Sequence, residues 1–187
     1  MLNDPTTPLS LLATRRSGKP RDLVAPGPDA GQLATMLEIA ARTPDHGKLA
    51  PWRFVHITDR TAFAGLLHKT AAHEPEPRDP VKIEQFARQA PTLIAVLATP
   101  VRDSTIPVWE QELSAGAACM NLLHAAHASG FAGGWLSGWP AFSATVLAAL
   151  GGREGDRIAG FVFIGSLERP PVERPRPPAD TVVRSWP

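Results

Sequence analysis

The stretch from Val108 to Ser129, VWEQELSAGAACMNLLHAAHAS, is the longest uninterrupted helical pattern in this chain. Its apolar residues fall on most faces, so it cannot be a surface helix with one buried stripe. It is expected to be a central, buried helix, and the rest of the fold has to enclose it. Small residues dominate its middle, SAGAAC, which favours close packing against neighbouring backbone over direct contact with a ligand.

The remaining segments supply the enclosing layers. TLIAVLAT (Thr92–Thr99) and IAGFVFIG (Ile158–Gly165) are apolar runs short enough to be buried strands. RFVHIT, from Arg53, alternates and is β-branched, as a strand should be. Leu9–Arg16, with Pro8 near its start, reads as a short helix. In PDAGQLATMLEIAART, from Pro28, Leu33, Met36, Leu37 and Ala40 lie at helical spacing, with Asp29 as the candidate N-cap. Asp59–Lys69, Val81–Arg88 and Phe142–Leu150 are further helices, the last stopped by Gly151 and Gly152. Pro44–Trp52 and Ala71–Pro80 are loops rich in turn residues. Helices segregate from non-consecutive strands, which is an α+β layout in a single domain spanning 1–187. Residues 1–8 are expected to be a flexible N-terminus. The segment 170–187 has too many prolines to fold alone, yet ends in Val182, Val183 and Trp186, so it is expected to dock on a neighbouring subunit.

Composition excludes several function classes. Of 187 residues, 19 are basic and 18 acidic, a net charge of +1, which excludes a strongly basic nucleic-acid binder. Arg169, Arg174, Arg176 and Arg184 are too spread out to change that. No apolar run approaches the roughly 20 residues needed to cross a bilayer, so no membrane partner is expected. The start MLNDPTTPLS lacks the basic and apolar regions of a signal peptide. The single cysteine, Cys119, allows no internal disulfide. A cytoplasmic location is the expectation. Cys119 sits among small apolar residues with no adjacent base, the setting of a core cysteine. His124 and His127 are three apart on one helix, but without H-E-x-x-H or a second ligand cluster no metal site is expected.

Against this near-neutral background LLATRRSGKPR, from Leu11, concentrates charge at one helix end. Arginines there could simply complement the helix dipole. Alternatively, two guanidiniums, a hydroxyl and a glycine are what a phosphate monoester needs. Neither a Walker loop nor a dinucleotide fingerprint occurs, so any phosphate belongs to something held differently. GFAGGWLSG, from Gly130, places four glycines around a short strand. These are either ordinary turns or a backbone that must approach a flat ligand.

RRSGK, PDHGKLAPW, WEQELSAGAACMNLLHAAHASGFAGGWLSG and IAGFVFIGSLERPPVERPRP occur in an order and spacing that resembles the FMN-dependent nitroreductases, most of all their small bacterial NAD(P)H-dependent subgroup. The resemblance runs from about Leu9 to Trp186. It implies a nitroreductase-like fold, with a central mixed sheet flanked by helices, in an interlocked homodimer with FMN at the subunit interface. It implies reduction of nitroaromatics, quinones or similar small acceptors by NADH or NADPH, with ping-pong kinetics and flavin N5 rather than a side chain as the reactive centre. On this resemblance Arg15, Arg16 and Ser17 hold the FMN phosphate and ribityl chain, and Lys19 stands near the pyrimidine edge. Arg42 and His46 match flavin-contacting positions, and Trp135, Leu136 and Ser137 match the segment lining the ring or its tail. Arg174 and Arg176 resemble a basic pair that closes over the phosphate. Two departures stand out: Ala50 where the subgroup commonly has glutamine before PW, and Leu136 where a relative can carry arginine. Two other outcomes remain compatible with these residues. One is a flavin-binding dimer that stores or senses without turnover. The other is a divergent flavin reaction such as enone reduction, dehalogenation or flavin fragmentation.

Overall fold

A computed structural model describes residues 1–74 and 76–186; Pro75, in the expected surface loop, and Pro187, at the end of the expected tail, lie outside the described residues. Seven helices are α1 (Pro8–Thr14), α2 (Ala30–Ala40), α3 (Arg60–Ala71), α4 (Pro80–Arg88), α5 (Val108–Ala128), α6 (Ala144–Ala149) and α7 (Ala179–Val182). Five strands accompany them: β1 (Leu23–Val24), β2 (Trp52–His56), β3 (Thr92–Ala98), β4 (Ala132–Leu136) and β5 (Arg157–Leu167).

The hub of the sheet is β5. It pairs with β3 along Arg157–Ile164, with β4 along Phe161–Gly165 and with β1 at Ser166 and Leu167, while β2 adds to the far edge of β3. Every one of these pairings is antiparallel, where a mixed sheet was expected. The physical reason lies in the strand order: β3 and β4, joined by a crossover through α5, run the same way but are separated by β5, which returns between them and meets each antiparallel.

Period-two alternation divides the core into two layers. Phe161, Phe163, Leu93 and Leu97 face α3, α4 and α6 and pack with Phe63, Leu67 and Ile83. Val162, Ile164, Ile94 and Val96 face the opposite way, onto Met36 of α2 and Leu122 of α5. Phe161 anchors the first layer, with ring centroids of Phe63 and Phe86 at 6.0 and 5.3 Å. All seven residues of β3 are buried, as its unbroken apolar run requires. The long helix α5 is buried on one side and open on another, where full enclosure was expected: Ala115, Ala118, Cys119, Leu122 and Ala126 are fully buried against the sheet, whereas Trp109, Leu113 and Ala117 are exposed in the single chain.

Helix ends carry the expected chemistry. Asp29 Oδ1 accepts from the Gln32 N–H at 2.8 Å, and Gln32 Oε1 accepts from the Asp29 N–H at 3.0 Å, a reciprocal capping box. Asp29→Ala is expected to cost about 1 kcal/mol in urea unfolding; an unchanged midpoint would show that the cap contributes nothing.

Three local differences from the sequence expectations bear on function. The first helix stops at Thr14, so Arg15 and Arg16 leave it in extended backbone instead of forming its last turn. At the other end, the proline-rich tail includes one helical turn, α7, whose Thr181 hydroxyl donates to the Pro178 carbonyl at 2.7 Å. Asn3 and Asp4 also bond to the end of α1, through N–H groups donated to the Thr14 carbonyl and hydroxyl.

Candidate functional site

Arg15 to Lys19 form an extended loop pinned from several sides. The Arg16 N–H donates to Asn3 Oδ1 at 2.6 Å, and the Arg16 carbonyl lies 3.2 Å from His127 Nε2. The Gly18 N–H donates to the Gly133 carbonyl of β4 at 3.0 Å. That last contact explains the glycines of β4. A Cβ on Gly134 would lie 2.6 Å from the Gly18 carbonyl and 3.1 Å from the Pro20 ring; one on Gly133 would meet the Leu123 side chain at 2.7 Å. The chain's own backbone and side chains therefore fill the space that these glycines open. The idea that Gly133 and Gly134 admit a flat ligand is corrected: they admit the basic loop.

Charge in this loop is poorly compensated. Arg15 is half-buried, and its side-chain hydrogen bond goes to the Ser17 hydroxyl at 3.2 Å. Among the described residues neither Arg15, Arg16 nor Lys19 has an ion-pair partner. Burial, and then repulsion from Arg176 and Arg16, pulls the Arg15 guanidinium below its ordinary pKa. Among the described residues neither arginine side chain hydrogen-bonds to the carbonyls of α1, although both follow directly on its C-terminal end. Arg16 reaches instead to the tail, donating from Nε to the Val172 carbonyl at 2.9 Å. Arg176 comes back over the loop, with Nη2 3.5 Å from the Arg15 carbonyl and 3.1 Å from Glu173 Oε1. Loop and tail together bound a cavity of about 460 Å³ lined by Arg16, Ser17, Lys19, Arg169 and Glu173 among others.

A second cavity, about 330 Å³, opens on the other side of Lys19. It joins Lys19, Pro20 and Arg21 to Leu136 and to Lys82, Gln85, Phe86 and Gln89 of α4. Among the described residues, three cations line it and no carboxylate does. These α4 residues escaped the sequence reading, though the signal is present: 82, 85, 86 and 89 are at i, i+3, i+4 and i+7, one helical stripe. Lys82 also stands in the first turn of its helix, where the dipole disfavours a cation.

The other expected residues divide by location. Trp135 and Leu136 are consecutive on β4 and so face opposite ways. The Trp135 ring lies against Gly116 of α5, with Nε1 donating to the Ala159 carbonyl at 3.1 Å, whereas Leu136 faces Lys19 and α4. Gly160 is needed beneath that indole, because any Cβ there would collide with it. Ser137 is exposed beside them, and so is Arg174, whose N–H donates to Glu173 Oε1 at 2.8 Å.

Arg42 and His46 are elsewhere. Arg42 is exposed just beyond α2, and His46 Nδ1 lies 3.0 Å from Glu110 Oε1 at the start of α5. No hydrogen bond or ion pair among the described residues joins either of them to Arg15. Their loop is a tight one, with φ of 75°, 58° and 44° at Gly47, Lys48 and Ala50. Left-handed backbone at two non-glycine residues is strained, and such strain gathers at functional loops. Both His127 nitrogens face carbonyl oxygens, of Leu123 at 2.7 Å and Arg16 at 3.2 Å, which ties the ring to backbone instead of a ligand. Burial pushes the Cys119 thiol up to about 12, so it is unreactive at neutral pH.

Comparison with known proteins agrees with this geometry. A profile described as "Nitroreductase family" matches residues 12–166. The chain is 37% identical over 163 residues to the Escherichia coli protein named "Putative NAD(P)H nitroreductase YdjA", covering 84% of this chain and 87% of that one. A nitroreductase-like protein of known structure from Bacillus cereus superposes with a TM-score of 0.79 at 19% identity, over 97% of this chain and 96% of the other. The NADPH:FMN oxidoreductase of Vibrio harveyi, solved with NAD+, gives a TM-score of 0.76 at 19% identity, over 95% of this chain and 76% of the other.

Proposed function

Because the chain belongs to the nitroreductase family, we propose that it is an FMN-dependent oxidoreductase that takes electrons from NADH or NADPH and reduces nitroaromatics, quinones or similar small acceptors. The observation that carries this reading is the half-buried, unpaired Arg15 beside the Ser17 hydroxyl, crowded by Arg16 and Arg176. Like charges held together at a partly buried site are costly unless an anion joins them. A phosphomonoester fits: Arg15 and Ser17 offer a guanidinium and a hydroxyl, and Arg176 and Arg174 close from the tail. Arg16 is a weaker candidate for direct contact, since its Nε is already given to Val172.

FMN, when bound, supplies the two-electron chemistry between nicotinamide and acceptor at its N5. The protein's own part is binding, orientation and electrostatics. Lys19, with Lys82 and Arg21 across the second cavity, provides positive charge where the pyrimidine edge becomes negative. Leu136 gives that cavity an apolar wall. Ser137 and the Trp135 backbone stand at the same end of β4. No side chain is needed as a catalytic acid in this reading, because water supplies the proton.

A second copy of the chain completes the cleft in this reading. Leu9 and Leu12 of α1, Trp109 and Leu113 of α5, and Val182, Val183 and Trp186 of the tail are exposed apolar residues that such a partner would cover. Arg42 and His46, which share no hydrogen bond or ion pair with Arg15 among the described residues, then serve the partner's flavin.

The test is steady-state oxidation of NADH and NADPH by the purified protein with a quinone or nitroaromatic added. Turnover with parallel initial-rate lines supports the proposal; a flavin-loaded dimer without turnover rejects the enzyme reading. Lys19→Met is expected to slow anaerobic reduction of the bound flavin on the order of tenfold. An unchanged rate would remove Lys19 from the pyrimidine edge.

A further inference from the structure

Both peptide groups of Arg16 are held by side chains, and the holders differ in kind. Asn3 Oδ1 accepts from its N–H and cannot titrate. Its carbonyl faces His127 Nε2 at 3.2 Å, while His127 Nδ1 faces the Leu123 carbonyl at 2.7 Å. The imidazole is 2% exposed. Carbonyl oxygens only accept hydrogen bonds. A neutral imidazole has one N–H, so it satisfies one carbonyl and turns a lone pair on the other; the imidazolium donates to both. With the proton on Nδ1, at the shorter contact, the neutral ring leaves the Arg16 end unbonded.

Resting on the reading of this loop as a phosphate site, we propose that His127 is a positioning residue that takes up a proton when a phosphomonoester occupies the loop. The proton comes from solvent and adds to the Nε2 lone pair, and no other covalent bond changes. The new N–H then clamps the Arg16 carbonyl, so anion binding and loop ordering reinforce each other.

The surrounding charges set the direction. Burial keeps the His127 pKa below its ordinary value, the two carbonyls oppose that, and the Arg15 charge adds to it. On the same helix His124 is also held low, by burial and then by Arg15 and His127. From the loop, Arg15 acts directly while the Arg16 guanidinium is turned to Val172; from the tail, Arg176 acts on Arg15. No carboxylate among the described residues bonds to the ring. A dianion at Arg15 offsets the one cation acting on His127 and raises its pKa in the complex above that in the free chain. Affinity for the phosphomonoester is therefore higher on the acid side and is lost as pH rises through the value in the complex.

FMN's own phosphate, with a second pKa of about 6, acts in the opposite sense below that pH, so the slope is read on the alkaline side of the phosphate's own titration. The experiment is calorimetric titration of the full chain, stripped of flavin, with FMN and with riboflavin, in buffers of different ionisation enthalpy. Expected is a larger net proton uptake with FMN than with riboflavin, and FMN affinity that falls severalfold as pH rises. His127→Gln, which keeps an N–H but cannot titrate, should flatten that slope; His124→Gln should preserve it. Equal proton uptake with both flavins overturns the proposal, as does a slope that survives His127→Gln or vanishes in His124→Gln. Should His127→Gln fail to fold, the wild-type proton count decides alone. Binding of neither flavin would reject the flavin reading itself, and this proposal with it.

Discussion

Arg15→Ala is expected to bind FMN about a hundredfold more weakly than the wild-type chain while holding riboflavin equally well. The estimate follows from losing charge-assisted hydrogen bonds to a phosphate dianion, about 3 kcal/mol in all. The flavin-free variant should be no less stable than wild type. In the free chain the Arg15 guanidinium is half-buried, is repelled by Arg176 and Arg16, and among the described residues is bonded through its side chain to Ser17 alone. Removing a repelled charge relieves the fold; removing it from the complex leaves the phosphate without its main counter-charge. Fluorescence titration with the two flavins, together with urea unfolding of the flavin-free proteins, separates these effects. If FMN and riboflavin lose affinity in parallel, Arg15 does not act through the phosphate.

Gly134→Val is expected to destabilise the chain by about 3 kcal/mol and to weaken flavin binding at the same time. The new Cβ would stand 2.6 Å from the Gly18 carbonyl and 3.1 Å from Pro20, and the first of these is backbone that cannot swing aside. The extended backbone of a strand would ordinarily gain from replacing glycine, by about 0.4–1 kcal/mol through the unfolded state. Gly134→Ala therefore gives the sharper sign. A destabilised, flavin-poor Gly134→Ala places the basic loop against β4 as described; a stabilised one with full flavin affinity would mean that the loop lies elsewhere. The contrast with Gly65 is useful, because a Cβ there meets nothing within 4 Å.

The layers of the fold are legible in the sequence where one residue pattern has one outcome. The apolar runs of β3 and β5 could only be buried, and Asp29 capped its helix where the spacing placed it, whereas α5, apolar on most faces, buries one side and leaves Trp109 and Leu113 exposed. Strand direction was not legible, since Thr92–Ala98 reads the same beside a parallel or an antiparallel neighbour. The two-residue β1 carries too little pattern to be seen at all. For the site, RRSGK marked itself as a candidate anion site because adjacent guanidiniums in a near-neutral chain ask for a counter-charge. What it could not reveal was the support. Asn3, His127 and Gly133 lie far along the chain from Arg16 and Gly18, and meet them through backbone groups that no side-chain pattern encodes. Lys82 was readable in principle, as part of the stripe at 82, 85, 86 and 89, but only the structure shows that this stripe faces Lys19. Trp135 and Leu136 illustrate the opposite limit: neighbours in one motif are sent by strand alternation to different faces of the sheet.

The central claim is that a phosphorylated flavin sits in the cleft built around the basic loop after α1. The most direct measurement is the visible spectrum and flavin content of the purified, FMN-supplemented protein, followed by anaerobic addition of NADH or NADPH. The account predicts a yellow protein with one FMN per chain, bleached by a nicotinamide and recoloured by a quinone. A colourless chain that takes up no FMN would contradict it.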